Sequence, residues 1–213
     1  MGNTRGGYST AVRHLMELLG RLPGVGSRSA ERMVFHILKG SADDALALAR
    51  AIEAVKTQVR HCSICYHLTE SDPCEICADP SRDQTLICVV EQPKDLFQIE
   101  STGAFHGVYH VLLGHLAPLD GILPGDLTID ALVARATEKS PDASPRIKEI
   151  ILATNPTMDG DGTALYLQQQ LADTGVTITR LARGMPAGGQ IEHANKAILS
   201  DAISGRTRIQ SSQ

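Results

Sequence analysis

Tryptophan is absent from the 213 residues, and aromatic rings of any kind are scarce, with four Tyr and three Phe. A platform that stacks the bases of single-stranded nucleic acid needs such rings, so any contact with nucleic acid falls mainly to the phosphates. No run approaches the roughly 18 to 20 apolar residues of a membrane span. The opening MGNTRGGYST lacks the apolar middle of a secretory leader, so a cytoplasmic protein without membrane association is expected. A positive excess is also missing: the net charge is -4 and the pI ≈ 6.0, which excludes binding nucleic acid over the whole surface. The charge is nevertheless split. Residues 1–61 carry nine Lys/Arg against five Asp/Glu, a balance of +4, and the remainder carries -8. A basic head therefore precedes an acidic body. The length suits one medium domain with smaller modules attached.

The head is helical in pattern. Val12, Leu15, Met16, Leu18 and Leu19 recur at helical spacing over Thr10 to Leu19, and LPGVG at Leu22 to Gly26 interrupts them. Ser27 can cap a second helix, whose buried stripe is expected to be Ala30, Met33, Val34, Ile37 and Leu38, ending at Gly40. A third, from Asp43 to about Arg60, is expected to bury Leu46, Leu48, Ala49, Ile52, Val55 and Val59. Further on, TLICVV at Thr85 to Val90 reads as a strand buried on both faces. Strands over Val108–Leu112, Ile150–Ala153 and Thr177–Thr179 alternate with helices over Lys94–Ser101, Ile129–Glu138 and Thr163–Ala172. This is an α/β domain with a mostly parallel sheet. KSPDASP at Lys139 to Pro145 reads as a surface loop, and the residues from Arg206 as a frayed end.

Four of the five cysteines fall within sixteen positions. CSIC and CEIC, separated by the eight residues YHLTESDP, form two knuckles whose sulfurs can converge on one ion. Cys62, Cys65, Cys74 and Cys77 would complete the tetrahedral shell of one Zn2+ with no position left for water or substrate, a structural site. In so short a segment the metal also supplies folding free energy. The alternatives are a redox pair or two disulfides, and a redox CxxC usually opens a helix after a strand, which this one does not. His61 and His67 lie nearby and are not needed as ligands. Cys88, inside a predicted strand, reads as a small buried hydrophobe.

Leu22 to Ala30, LPGVGSRSA, resembles a helix-hairpin-helix turn. Gly24 and Gly26 permit backbone shapes that other residues resist. In such a turn the amides opening the second helix point outward and suit a DNA phosphate without reading sequence. Arg28 and Arg32, four apart, share a face near that site.

Glu91 directly follows ICVV, and Asp159 and Asp161 follow IILAT by several residues, near strand ends where α/β domains place their sites. Converging carboxylates there could hold Mg2+. VVEQPKDLFQIESTG resembles the first signature of the Toprim fold. The second signature of active members is an Asp-x-Asp after the next apolar strand, where this chain has Asn155 and Thr157. Those are poorer ligands for a hard cation, so the expectation is an acidic site serving partner contact or weak Mg2+ binding, without catalysis.

Taken in order, LPGVGSRSAERMVFHIL, the quartet, VVEQPKDLFQIESTG, YHVLLGHLAPLDGILPGDL, ATNPTMDGDGTALYL and LARGMPAGGQIEH make nearly the whole chain similar to the RecR family of bacterial recombination mediators. The resemblance implies an α+β multi-module chain: a helix-hairpin-helix region over 1–61, a C4-type zinc finger over 62–77, a Toprim domain over 80–180 and a C-terminal segment over 181–213. It further implies sequence-independent DNA binding, a tetrameric ring, RecO and RecF as partners, and RecA loading at gapped DNA. Family members commonly have Lys where Arg28 stands, and Arg keeps the charge. The end around Asn195, Lys196, Ala197 and Ile198 departs from the family pattern. The competing reading is a Mg2+-dependent Toprim nuclease or topoisomerase.

Overall fold

The computed structural model describes residues 7–138 and 146–207. By contacts the chain divides into two compact units, Met1–Val59 and Arg60–Gln213. The expected loop at Lys139 to Pro145 lies outside the described residues, as does the end of the chain beyond 207.

The first unit holds three helices, α1 (Thr10–Leu19), α2 (Ser27–Lys39) and α3 (Ala42–Gln58). Local sequence sets their starts. The Ser9 hydroxyl accepts from the Val12 amide to open α1, and the Ser41 hydroxyl accepts from the Asp44 amide to open α3. Asp43 and Asp44 then sit in the first turn, where the helix dipole favours negative charge. Tyr8 packs edge-on against Phe35 with ring centroids 5.5 Å apart, and its hydroxyl donates to Glu31.

Burial in this unit is less than the periodicity predicts. Of the α2 stripe, Ala30 and Val34 are buried, Ile37 is half-buried, and Met33 and Leu38 are exposed. No residue of α3 is buried: Ile52 is 59% exposed and Val55 60%, with Leu46, Leu48 and Ala49 also exposed and Val59 half-buried. Periodicity identifies an apolar face but not what covers it, and three short helices leave this one open.

The second unit is built on a parallel sheet in the order β4-β3-β5-β6, with β3 (Asp83–Val90), β4 (Gly107–Val111), β5 (Glu149–Leu152) and β6 (Thr177–Arg180). Helices α5 (Pro93–Glu100), α6 (Ile129–Thr137) and α7 (Met158–Gln170) make the crossovers. Strand β3 sits between β4 and β5, which explains its uninterrupted apolar run. Ile87 and Val89 pack with Leu132 of α6 and Leu167 of α7 on one face of the sheet; Cys88 and Val90 pack with Leu96 of α5 and with Tyr109 on the other. Burial pushes the Cys88 thiol up to about 12, in keeping with a buried apolar residue.

Helix α7 starts at Met158 rather than near Thr163, because the Thr157 hydroxyl caps it by accepting from the Gly160 amide at 3.1 Å. A helix that the periodicity does not predict, α8 (Lys196–Ser204), is capped by the Asn195 side chain, which accepts from the Ile198 amide. Among the described residues no helix is long and apolar enough to cross a membrane.

Candidate functional site

The cysteine module begins the second unit. A two-residue antiparallel pair, β1 (Arg60–His61) with β2 (Leu68–Thr69), closes the first knuckle, and the single turn α4 (Glu75–Ala78) carries Cys77. Cys62, Cys65 and Cys74 are buried and Cys77 partly so, with all four sulfurs within 4.8 Å of one another. Cys65 and Cys74 Sγ are 3.5 Å apart, well beyond the roughly 2.05 Å of a disulfide. The amides of Ile64 and Cys74 donate to Cys62 Sγ at 3.5 and 3.4 Å.

Left to themselves these thiols resist ionising together. The Cys77 thiol and burial push Cys65 up, and burial chiefly pushes Cys74 up to about 11. Burial also acts against the Cys62 thiolate, yet the amides donating to it leave its pKa below the ordinary value. Four sulfurs in one pocket stay ionised only against a compensating cation, and four soft donors with no open position suit Zn2+. The nearby histidines take no part: His61 Nδ1 lies 3.0 Å from the Tyr66 carbonyl, and the His67 ring packs edge-on against Phe97 at 4.9 Å.

At the LPGVG turn, Gly24 adopts φ +77°, a conformation that costs a side chain strain. Gly26 is the N-cap of α2 and offers no side-chain acceptor. The Ala30 amide bonds back to the Gly26 carbonyl, while among the described residues those of Ser27, Arg28 and Ser29 find no acceptor. Three donors thus face outward at the positive end of a thirteen-residue helix. Arg28 and Arg32 are exposed on that helix and form no ion pair among the described residues.

The acids of the α/β domain do not converge. Glu91 is 3% exposed, and its carboxylate accepts from the Asn155 backbone amide at 2.8 Å and side-chain amide at 2.7 Å. His115 Nδ1 stands 3.3 Å from the same carboxylate, and its Nε2 stands 3.9 Å from Asp159. Asp161 turns away to Arg183 and Arg180, whose guanidinium groups hold its pKa down to about 2. Among the described residues the cysteine quartet is the one group of three or more His, Cys, Asp or Glu side chains whose ligand atoms converge. Sequence reasoning does not find Asn155, His115, Arg180 and Arg183 as site residues. Only Asn155 carries a signal, by standing where active Toprim members have Asp.

The two units together define a protein with a helix-hairpin-helix, a four-cysteine zinc finger and a Toprim domain, and the family models agree. Residues 12–56 match the RecR helix-hairpin-helix, residues 59–79 the four-cysteine zinc finger domain of RecR, and residues 85–182 the Toprim domain. Among curated proteins, the chain is 52% identical to the recombination protein RecR of Rhodopirellula baltica over 95% of its length and 99% of the relative's. It is 48% identical to that of Chloroflexus aggregans, covering 93% of this chain and 94% of the relative, and 46% identical to that of Thermobifida fusca, covering 93% and 97%. The chain belongs to the RecR family.

Proposed function

We propose that the chain is a cytoplasmic, non-enzymatic mediator of recombinational DNA repair. It binds the DNA backbone without regard to sequence, assembles as a tetrameric ring around DNA, and works with RecO and RecF to load RecA at gaps. The observation that carries this reading is the start of α2, where three amides and the exposed Arg28 and Arg32, all without a partner among the described residues, offer a phosphate both hydrogen bonds and charge.

Self-assembly is supported by the open apolar face of α3. Leu48, Ile52 and Val55 recur at i, i+4 and i+7, a stripe of the kind buried between helices. Four copies of one modest phosphate site would combine through avidity, so a single site need not bind tightly. The spacing of the carboxylates supports the non-enzymatic part. Mg2+-dependent chemistry needs acids sharing one ion, whereas Glu91 is held by two donors of Asn155 and Asp161 is paired with two arginines. Glu91 is also too buried to meet a partner, which leaves Asp159 and Asp161 as the accessible acids.

The test is the salt dependence of DNA binding. Arg28→Ala with Arg32→Ala is expected to weaken binding equally for unrelated sequences and to reduce the log–log salt slope by about one unit for each phosphate no longer engaged. An unchanged slope would show that α2 does not touch DNA.

A further inference from the structure

We infer that Arg135 belongs to the zinc centre: it compensates the charged quartet and, with the Cys65 carbonyl, seals the edge strand β4, so that zinc occupancy controls the order of that edge. The inference rests on zinc as the occupant of the quartet.

Strand β4 ends the sheet, so among the described residues one side of its backbone faces no strand. Unpaired edge groups invite pairing with other chains unless something covers them. Here three elements do so. The Val111 amide donates to the Cys65 carbonyl at 2.8 Å, Arg135 Nη1 of α6 donates to the Tyr109 carbonyl at 2.9 Å, and the Thr128 hydroxyl donates to the Val111 carbonyl at 2.7 Å. The first zinc knuckle therefore stands where a neighbouring strand would stand.

The same knuckle faces α6. Ile64 and Tyr66 line one cleft with Ala131, Ala134 and Arg135, and Tyr66, held at φ 63°, packs edge-on against His110 at 5.5 Å. Arg135 Nη1 also lies 3.1 Å from His110 Nδ1, which must accept; the ring's proton then sits on Nε2 and is shared with the Thr128 carbonyl and hydroxyl at 3.0 Å. One guanidinium thus ties the strand edge to a buried histidine, in the cleft that the knuckle lines.

Charge gives this arrangement its purpose. Four thiolates around Zn2+ leave a formal charge of about -2 in a largely buried pocket, which needs a cation close by. Arg135 is partly buried and lines the cleft beside Ser63 and Ile64, the two residues between Cys62 and Cys65. A group that only capped β4 would need no positive charge.

The full-length protein is first assayed for zinc content, since a preparation lacking zinc would remove both the occupant and this inference. Zinc is then competed away with a chromophoric chelator from wild type, Arg135→Gln and Arg135→Lys. Arg135→Gln is expected to weaken zinc binding by about tenfold or more, as loss of an outer partner of a metal site does, and Arg135→Lys to recover most of that loss. A folded Arg135→Gln protein with wild-type zinc affinity overturns the proposal. Should Arg135→Gln not fold, hydrogen exchange on the wild type decides. Chelation is expected to strip protection from Tyr109 to Leu112 before β5 and β6, and retained protection at Val111, or simultaneous loss across the sheet, contradicts it.

Discussion

Asn155 grips Glu91 with two donors, its backbone amide at 2.8 Å and its side-chain amide at 2.7 Å. Placing Asp at 155 exchanges one donor for a second carboxylate against a buried one. Asn155→Asp is therefore expected to destabilise the protein by about 2 to 4 kcal/mol at neutral pH. Millimolar Mg2+ should recover part of the loss in the variant and leave the wild type unmoved. Thermal unfolding with and without the ion checks this, and a variant as stable as wild type in chelator would show that the two groups are not in contact.

The early start of α7 gives a paired glycine test. A Cβ on Gly160 would fall 2.1 Å from the Asn155 carbonyl oxygen and 2.8 Å from Glu91 Oε1, whereas at Gly162 it would meet nothing within 4 Å. Gly160→Ala should cost about 1 to 3 kcal/mol or more through overpacking. Gly162→Ala should instead add about 0.5 to 1 kcal/mol by favouring the helix. Denaturant unfolding of both reads the signs, and equal effects would contradict the placement of this turn.

His110 sets an acid limit. Burial first, and the Arg135 charge second, hold its pKa down at about 3. A histidine in the unfolded chain titrates near 6.5, so below that pH the unfolded state takes up this proton first. The contribution is whole above about pH 6.5 and declines towards about pH 3, at about 1.4 kcal/mol per unit for one such group. Replacing His110 with Gln, which can still donate towards Thr128, should flatten stability against pH between about 7 and 5. An unchanged slope would mean that the imidazole is charged in the folded protein.

The apolar stripe of α3 bears on assembly. Ile52→Glu with Val55→Glu is expected to reduce the native mass, because each charge would have to be buried in the contact between copies. Both positions are exposed within one chain, so the chain's own stability should change by no more than about 0.5 kcal/mol each. Light scattering measures the mass, and an assembly unaffected by both charges would place the contact elsewhere.

What the sequence discloses and what it hides differ by distance along the chain. The LPGVG turn and the cysteine quartet are legible because their chemistry lies within a few positions: a φ-permissive glycine before a helix, and two CxxC pairs. Strand β3 is legible because burial on both faces leaves no alternation to misread. The Asn155–Glu91 grip joins residues 64 apart, and only the fold brings them together. The exposure of α3 is hidden because spacing shows a face and not its cover. The first knuckle's Cys65 carbonyl takes an amide of β4, a contact that no local pattern encodes. Helix α8 escapes notice because its nine residues KAILSDAIS give too short a stripe.

The central claim is a clamp that holds DNA by encirclement, with weak phosphate contacts beneath it. Native mass spectrometry or light scattering of the protein on closed circular DNA, before and after the circle is cut once, tests it most directly. The account predicts four chains retained on the closed circle in high salt and lost from its free ends after cutting. Equal retention on closed and cut DNA, or a mass below four chains on the closed circle, would contradict it.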